Sequence, residues 1–264
     1  MRQRICSKRR HVKCLWASVA RATDRRLRWT ERRPILCPRM VKVITFIKRK
    51  PGMPVEEFQA YWRSRHPEVV TRLPGVRRYV QSHTLLSAYE HGDPTYDGIA
   101  EVWADDTAAL RAMIQSPAHP DLVTDEARFI DRASMGVIIT EDHVVKDGAA
   151  ATPEAAVKSV DFLVRKAGLP VEEFQQHWLM VHGPIAAAIP ALRRYVQSHT
   201  RRGAYEAGRV PAYDGAAIGW YDSANEFRAA AAGAEYARAA ADSPSFLAMD
   251  QVRSILTREH VIVA

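Results

Sequence analysis

The chain repeats itself, and nothing else in it limits the fold as much. Residues 41–90 align without gaps on residues 157–206, an offset of 116, with 26 of 50 positions identical. The run Pro54-Val55-Glu56-Glu57-Phe58-Gln59 recurs from Pro170 to Gln175, and Arg77-Arg78-Tyr79-Val80-Gln81-Ser82-His83-Thr84 recurs from Arg193 to Thr200. After a one-residue insertion Tyr96-Asp97-Gly98 matches Tyr213-Asp214-Gly215, Trp103 matches Trp220, and Thr140 and His143 pair with Thr257 and His260. Two copies of one supersecondary unit follow, expected at 40–146 and 157–264 with a small, Pro/Gly-containing linker at 147–156. Roughly 105 residues per copy is enough for an independent core.

Charge separates the rest. The formal charge is +8, yet residues 1–39 carry 13 Lys/Arg against Asp24 and Glu31, a net +11, so the remainder is −3. A basic balance therefore belongs to a leader, and no nucleic-acid partner is expected for the repeats. All three cysteines (Cys6, Cys14, Cys37) lie in this leader too, so the repeats have neither a disulfide framework nor cysteine metal ligands. Its best apolar stretch, residues 15–20, is too short for a secretory signal. The expectation is translation from Met40, with the upstream residues disordered or untranslated; an organellar transit peptide or a nucleic-acid arm are the other readings. No stretch suits a transmembrane helix, and a cytoplasmic location without membrane partners is expected.

Each copy reads alike. Residues 41–48 are β-branched and apolar, a strand. Lys50-Pro51-Gly52-Met53 is a turn, and Pro54 suits the first position of a helix. Glu56 and Glu57 then occupy its first turn, where negative charge is favoured. Phe58, Trp62 and His66 fall at i, i+4 and i+8 on one stripe, until His66-Pro67, or His182-Gly183-Pro184 in the second copy, breaks or kinks the helix. Residues 76–84 and 98–103 read as strands, 105–115 as a helix with acidic caps, and 137–145 as the closing strand. In the second copy the later helix is the Ala-rich run 226–241. The order β-α-β-β-α-β is the ferredoxin-like α+β unit with an antiparallel sheet. Helices cover one face of such a sheet, and the other needs a partner. Two copies on one chain predict sheet packed against sheet, a closed barrel built as an intramolecular pseudo-dimer, with further self-association left open.

The Glu-Glu-Phe-x-x-x-Trp-x-x-x-His helix, the Arg-Tyr-Val-Gln-x-His strand and the Tyr-Asp-Gly that follows, each present twice, resemble the EthD family of the dimeric α/β-barrel superfamily. The resemblance covers both copies and departs from the usual homodimer of single domains. It implies an enzyme that works without a bound cofactor. It does not choose the reaction, because the superfamily includes monooxygenases, isomerases, cyclases, dehydratases and decarboxylases. The leading expectation is His-mediated proton transfer, of lyase, isomerase or cyclase type, on a small, mostly apolar carbonyl or aromatic metabolite. The alternatives are an oxidoreductase of the cofactor-free monooxygenase type and a non-catalytic protein that binds a hydrophobic metabolite.

His66 and His182 are the first candidates: general acid or base by their reference pKa, or caps on freed carbonyls at a helix end. The resemblance favours the former, since this histidine belongs to the family pattern. Tyr79, Gln81 and His83 alternate onto one strand face, and Tyr195, Gln197 and His199 repeat the set. These are expected to line the barrel lumen, the tyrosines and glutamines holding a developing oxyanion; the other reading puts His83 and His199 at strand ends in solvent. Trp62 and Trp178 are core anchors or walls of a substrate site. The copies differ where Thr45 is matched by Asp161 and Glu101 by Ile218. A mid-strand acid is costly unless paired, so Asp161 and Glu101 are functional or exposed at an edge. If Phe46 and Phe162 pack under the helices, Asp161 faces the lumen and orients or charge-stabilises a histidine, leaving one copy with a working pocket. His143 and His260 lack ligand-like spacing, and no metal site or phosphate-binding glycine loop is expected.

Overall fold

The structure, a computed structural model, describes residues 40–151 and 155–264; the expectation for the leader lies outside them. The first copy runs β1 (Val41–Ile47), α1 (Val55–Ser64), α2 (Pro67–Val70), β2 (Arg78–Thr84), β3 (Gly98–Ala104), α3 (Thr107–Gln115), α4 (His119–Phe129) and β4 (Gly136–Lys146). The second runs β5 (Val157–Leu163), α5 (Val171–His177), a π-helical turn (Trp178–His182), α6 (Gly183–Ala187), β6 (Arg194–Thr200), α7 (Arg202–Glu206), β7 (Gly215–Tyr221), α8 (Ala224–Ala231), α9 (Ala234–Asp242) and β8 (Arg253–Val263).

Local chemistry explains most of these ends. Asp106 caps α3 by accepting from the Ala109 N–H at 2.8 Å, and Ser223 caps α8 through the Glu226 N–H. No element is expected from the sequence between residues 116 and 136, where α4 forms. Pro120 sits in the first turn of α4, where its missing N–H costs nothing. The helix expected over 226–241 is likewise two, α8 and α9, divided at Gly233. Gly98 and Gly215 of the Tyr-Asp-Gly motif are required by packing. A Cβ at either would lie 2.6 Å from the Trp62 or Trp178 ring, so the indoles lie directly on the strands.

The eight strands close into a barrel in the order β1-β3-β2-β8-β5-β7-β6-β4. Every pairing is antiparallel, and each copy keeps the ferredoxin-like order. The two sheets face one another as expected, but they are also joined at their edges. The first part of β4 pairs with β1 and its second part with β6 of the other copy; β8 does the same with β5 and β2. No barrel strand is left with an open edge.

The interior is filled. Ile44, Phe46, Ile99 and Ile138 of the first copy meet Val160, Phe162, Tyr213, Ile218 and Ile255 of the second in one cluster. Phe46 and Phe162 touch edge to face at 5.6 Å, and the Tyr96 and Tyr213 hydroxyls lie 2.6 Å apart. This reverses the expected face assignment. Phe46 and Phe162 point into the barrel, while Trp62 and Trp178 pack on Phe58 and Phe174 under the helices. The cluster around Phe46 and Phe162 fills the interior, as eight strands permit, and by strand alternation Asp161, Tyr79, Gln81, His83, Tyr195, Gln197 and His199 point away from it. They lie on the helix-covered face.

Candidate functional site

On the helix-covered face of each copy the same polar set assembles. Gln197 Nε2 donates to the Trp178 carbonyl at 2.7 Å, and its Oε1 lies 3.0 Å from His199 Nε2; Gln81 does the same with Trp62 and His83 at 2.7 and 3.1 Å. His83 and His199 stack face to face on Trp62 and Trp178, centroids 4.3 Å apart, and are buried rather than at solvated strand ends. These contacts explain why Gln, His and Trp are shared by both copies. They hold the first helix on the sheet.

His66 and His182 do not cap carbonyls. His66 Nδ1 lies 2.7 Å from Asp125 Oδ2 on α4, and His182 Nδ1 lies 3.0 Å from Asp242 Oδ2 on α9. Burial lowers both imidazoles below their ordinary value, opposed by the neighbouring carboxylate. Burial alone would raise Asp242, but hydrogen bonds from His177 and His182 bring it below the usual aspartate range. A carboxylate only accepts, so His182 carries its proton on Nδ1 and keeps Nε2 as an acceptor. The expectation that Asp161 orients the histidine is thus corrected: Asp242 does so. The sequence held a signal for it. Asp125-x-x-x-Phe129 and Asp242-x-x-x-Phe246 recur at an offset of 117, around the C-terminal ends of α4 and α9.

The copies, lobe 1 and lobe 2, part company in their packing. In lobe 2 a cavity of about 260 Å³ opens between the β5-β7-β6 surface and the helices α6 and α9, reaching His182, Tyr195, Asp161 and Trp178. Its walls are small where lobe 1 is large. Ser159, Ala186, Gly219, Ala239, Ala240 and Ser243 stand where lobe 1 has Val43, Val70, Val102, Leu122, Val123 and Glu126. In lobe 1, Val43, Val102 and Leu122 pack into an apolar cluster with Leu73, Val76 and Met113. Both histidines lie 5.0 Å from a phenylalanine, Phe129 or Phe246, but His66 is buried at 4 % exposure and His182 is half-buried. The π-helical turn adds to the difference. At more residues per turn than an α-helix, it keeps Trp178 and His182 on one side as the chain enters α6.

Tyr195 Oη accepts from Trp178 Nε1 at 3.1 Å and from Gln197 Nε2 at 3.4 Å. With its oxygen so occupied, its hydrogen is left to donate into the cavity. Burial pushes this phenol up to about 12, so it is a donor at neutral pH. Asp161 has one side-chain partner here, the Ser254 hydroxyl at 2.5 Å, and burial raises its carboxyl above the ordinary aspartate range. No lysine or arginine among the described residues lines the cavity. Among the described residues no three His, Cys, Asp or Glu side chains converge as a metal-ligand set.

Glu101 is elsewhere. Neither exposed nor in the cavity, it lies inside the barrel between Lys42, at 3.1 Å, and Lys158 of the other lobe. Asp142 and Glu259 add a second carboxylate to each lysine, at 2.8 and 2.9 Å. The two lysines stand at equivalent positions, so one acid near the pseudo-twofold axis serves both. Ile218 fills its counterpart.

The EthD domain model matches residues 50–133 and again residues 166–250. The chain belongs to the EthD family. Among solved structures, this EthD protein is similar to an anthrone oxidase-like protein at 13% identity and TM-score 0.58, covering 86% of this chain and 94% of that one. It is similar to a candidate monooxygenase from Fusobacterium nucleatum at 8% identity and TM-score 0.52, covering 84% and 92%. An EthD family protein from Bacillus halodurans, 19% identical with TM-score 0.33, covers 39% of this chain and 97% of its own. At these identities the likeness is one of fold. No curated protein matches the chain, and no described helix is long and apolar enough to cross a membrane.

Proposed function

We propose that lobe 2 is a catalytic site that removes a proton from a small, mostly apolar carbonyl or aromatic compound, and that lobe 1 is its scaffold. The observation that carries this reading is the pairing of cavity and base. His182 lines the cavity with Nδ1 tied to Asp242, whereas its counterpart His66, with an equivalent carboxylate and phenylalanine beside it, is buried in the lobe whose equivalent wall positions carry larger side chains. His182 Nε2 takes the proton, the Asp242 carboxylate stabilises the imidazolium that forms, and the Tyr195 hydroxyl donates to the oxygen on which charge develops. Glu101, expected among the substrate contacts, takes no part; Gln197 and His199 act by holding Tyr195 and Trp178.

The test is hydrogen exchange of 2-tetralone in deuterated water, followed by proton NMR. The wild type should accelerate exchange beside the carbonyl. His182→Ala should remove at least about 100-fold of that acceleration, and His66→Ala should leave it. Equal losses from the two substitutions would overturn the assignment to lobe 2.

A second reading is oxygenation after the same deprotonation, which the names of the anthrone oxidase-like protein and the candidate monooxygenase support. Dioxygen consumption matched to substrate loss in an oxygen electrode would favour it over lyase or isomerase chemistry.

A further inference from the structure

Among the described residues the cavity of lobe 2 carries hydrogen-bond donors and an acceptor but no cation, and this restricts what it can hold. Tyr195 offers its O–H, the Ser254 hydroxyl is already given to Asp161, and the Ser159 hydroxyl lies on the wall beside the Gly219 carbonyl. His182 offers the only histidine nitrogen on its wall. A carboxylate or phosphate ligand would lose its hydration there with no positive side chain to replace it. The remaining polar group is Asp161. It lies mid-strand on β5, one residue pair along from the Ser159–Gly219–Tyr195 row of the sheet, and its β8 neighbour Ser254 reaches it. Lobe 1 has Thr45 and Val137 at these two positions, so the pair belongs to the lobe with the cavity.

We propose that this cavity binds a neutral, one- or two-ring compound by its carbonyl oxygen, received between the Tyr195 hydroxyl and an Asp161 carboxyl that acts as hydrogen-bond donor. The proposal rests on reading the lobe 2 cavity as the substrate site, and it names the chemistry that site accepts. A volume of about 260 Å³ suits a compound of that size. The groups that face Asp161 are Ser254 on β8, Tyr195 on β6, Tyr221 on β7, Tyr236 on α9 and, across the cavity, His182. None is a cation at neutral pH; the Ser254 hydroxyl that donates to Asp161 steadies its ionised form, and burial outweighs it, moving the carboxyl toward its acid form. Two neutral donors on one oxygen stabilise the enolate or phenolate that loss of a proton to His182 creates.

Three naphthalene probes of similar shape test this by titration calorimetry: 2-acetonaphthone (neutral carbonyl), 2-naphthoate (anion) and 2-naphthylmethylammonium (cation). The wild type should bind 2-acetonaphthone at least tenfold more tightly than either ion. Asp161→Asn, which keeps a neutral N–H donor, should hold that affinity within about threefold. Asp161→Leu and Tyr195→Phe should each lose about tenfold, the price of one hydrogen bond at a buried oxygen. Wild-type affinity should fall as pH rises through the Asp161 ionisation, and the Asp161→Asn variant should be flat. Tightest binding of the cation with loss in Asp161→Asn would overturn the proposal, as would equal losses in Asn and Leu or no binding of any probe. Binding needs no turnover. If the probe pattern holds while His182→Ala leaves tetralone exchange intact, the reaction reading fails and the ligand class stands.

Discussion

His182 and His66 share a sequence context and a carboxylate partner, yet their chemistry differs because only one borders open space. Burial lowers His182 below the ordinary histidine value, so its base form persists to lower pH than free imidazole. The tetralone exchange rate should therefore climb with pH to a plateau, with the midpoint of the ascending limb below about pH 6.5. A limb centred above it would contradict a neutral, Asp242-tethered base. Asp242→Asn keeps the shape but can donate to Nδ1, turning the available proton to the wrong nitrogen. We expect the plateau to fall by about 100-fold, a loss pH cannot restore. Both histidines could be read from their stripe in the sequence; the pairing with Asp242 could not, since that carboxylate comes from a helix 60 residues further along the chain.

Among the elements, α9 decides where the cavity is. Its Ala239 and Ala240 line the cavity at positions where α4 carries Leu122 and Val123. Lobe 1 is thus an internal control for a filled site on the same backbone. The double variant Ala239→Leu/Ala240→Val should abolish 2-acetonaphthone binding while leaving the melting temperature equal or higher, because cavity filling adds apolar contact. Loss of fold in circular dichroism would show that the lobes are not equivalent there. Gly219→Val should behave differently. A Cβ at Gly219 would lie 2.9 Å from Leu192 Cδ1 and 3.0 Å from Ser159 Oγ, so overpacking should cost about 1–3 kcal/mol in urea denaturation. That these small residues matter was invisible before the helices were placed, because an Ala-rich run reads simply as good helix.

At the level of the whole molecule, the barrel is held across its pseudo-twofold axis by Lys42, Glu101 and Lys158. Burial alone would raise Glu101, but the charges of Lys158 and Lys42 hold it down at about 2. An acid with a depressed folded-state value stabilises above its unfolded value, near 4.5, and loses that contribution as pH falls toward 2. Glu101→Gln should cost about 3 kcal/mol at pH 7, and the difference from wild type should narrow steadily between about pH 4.5 and 2. A gap unchanged across that window in denaturant titrations would show that Glu101 is not the charge that closes the barrel. Glu101 was legible as an anomaly, a mid-strand acid with an isoleucine twin. Its role was not, because both of its partners occupy the neighbouring β1 and the far β5.

The repeat alone determined that two like α+β units would pair, because a sheet with helices on one face must cover the other. The alternation of Tyr79, Gln81 and His83 likewise put them on one face. Which face that was depended on what Phe46 and Phe162 would meet. They meet each other, since eight closed strands leave an interior that side chains fill, and this sends every polar candidate except Glu101 to the helix side. The cavity was decided later still, by six small residues scattered over five elements of lobe 2. No local pattern marks such a set, because a void belongs to the space between elements and exists only once they are packed.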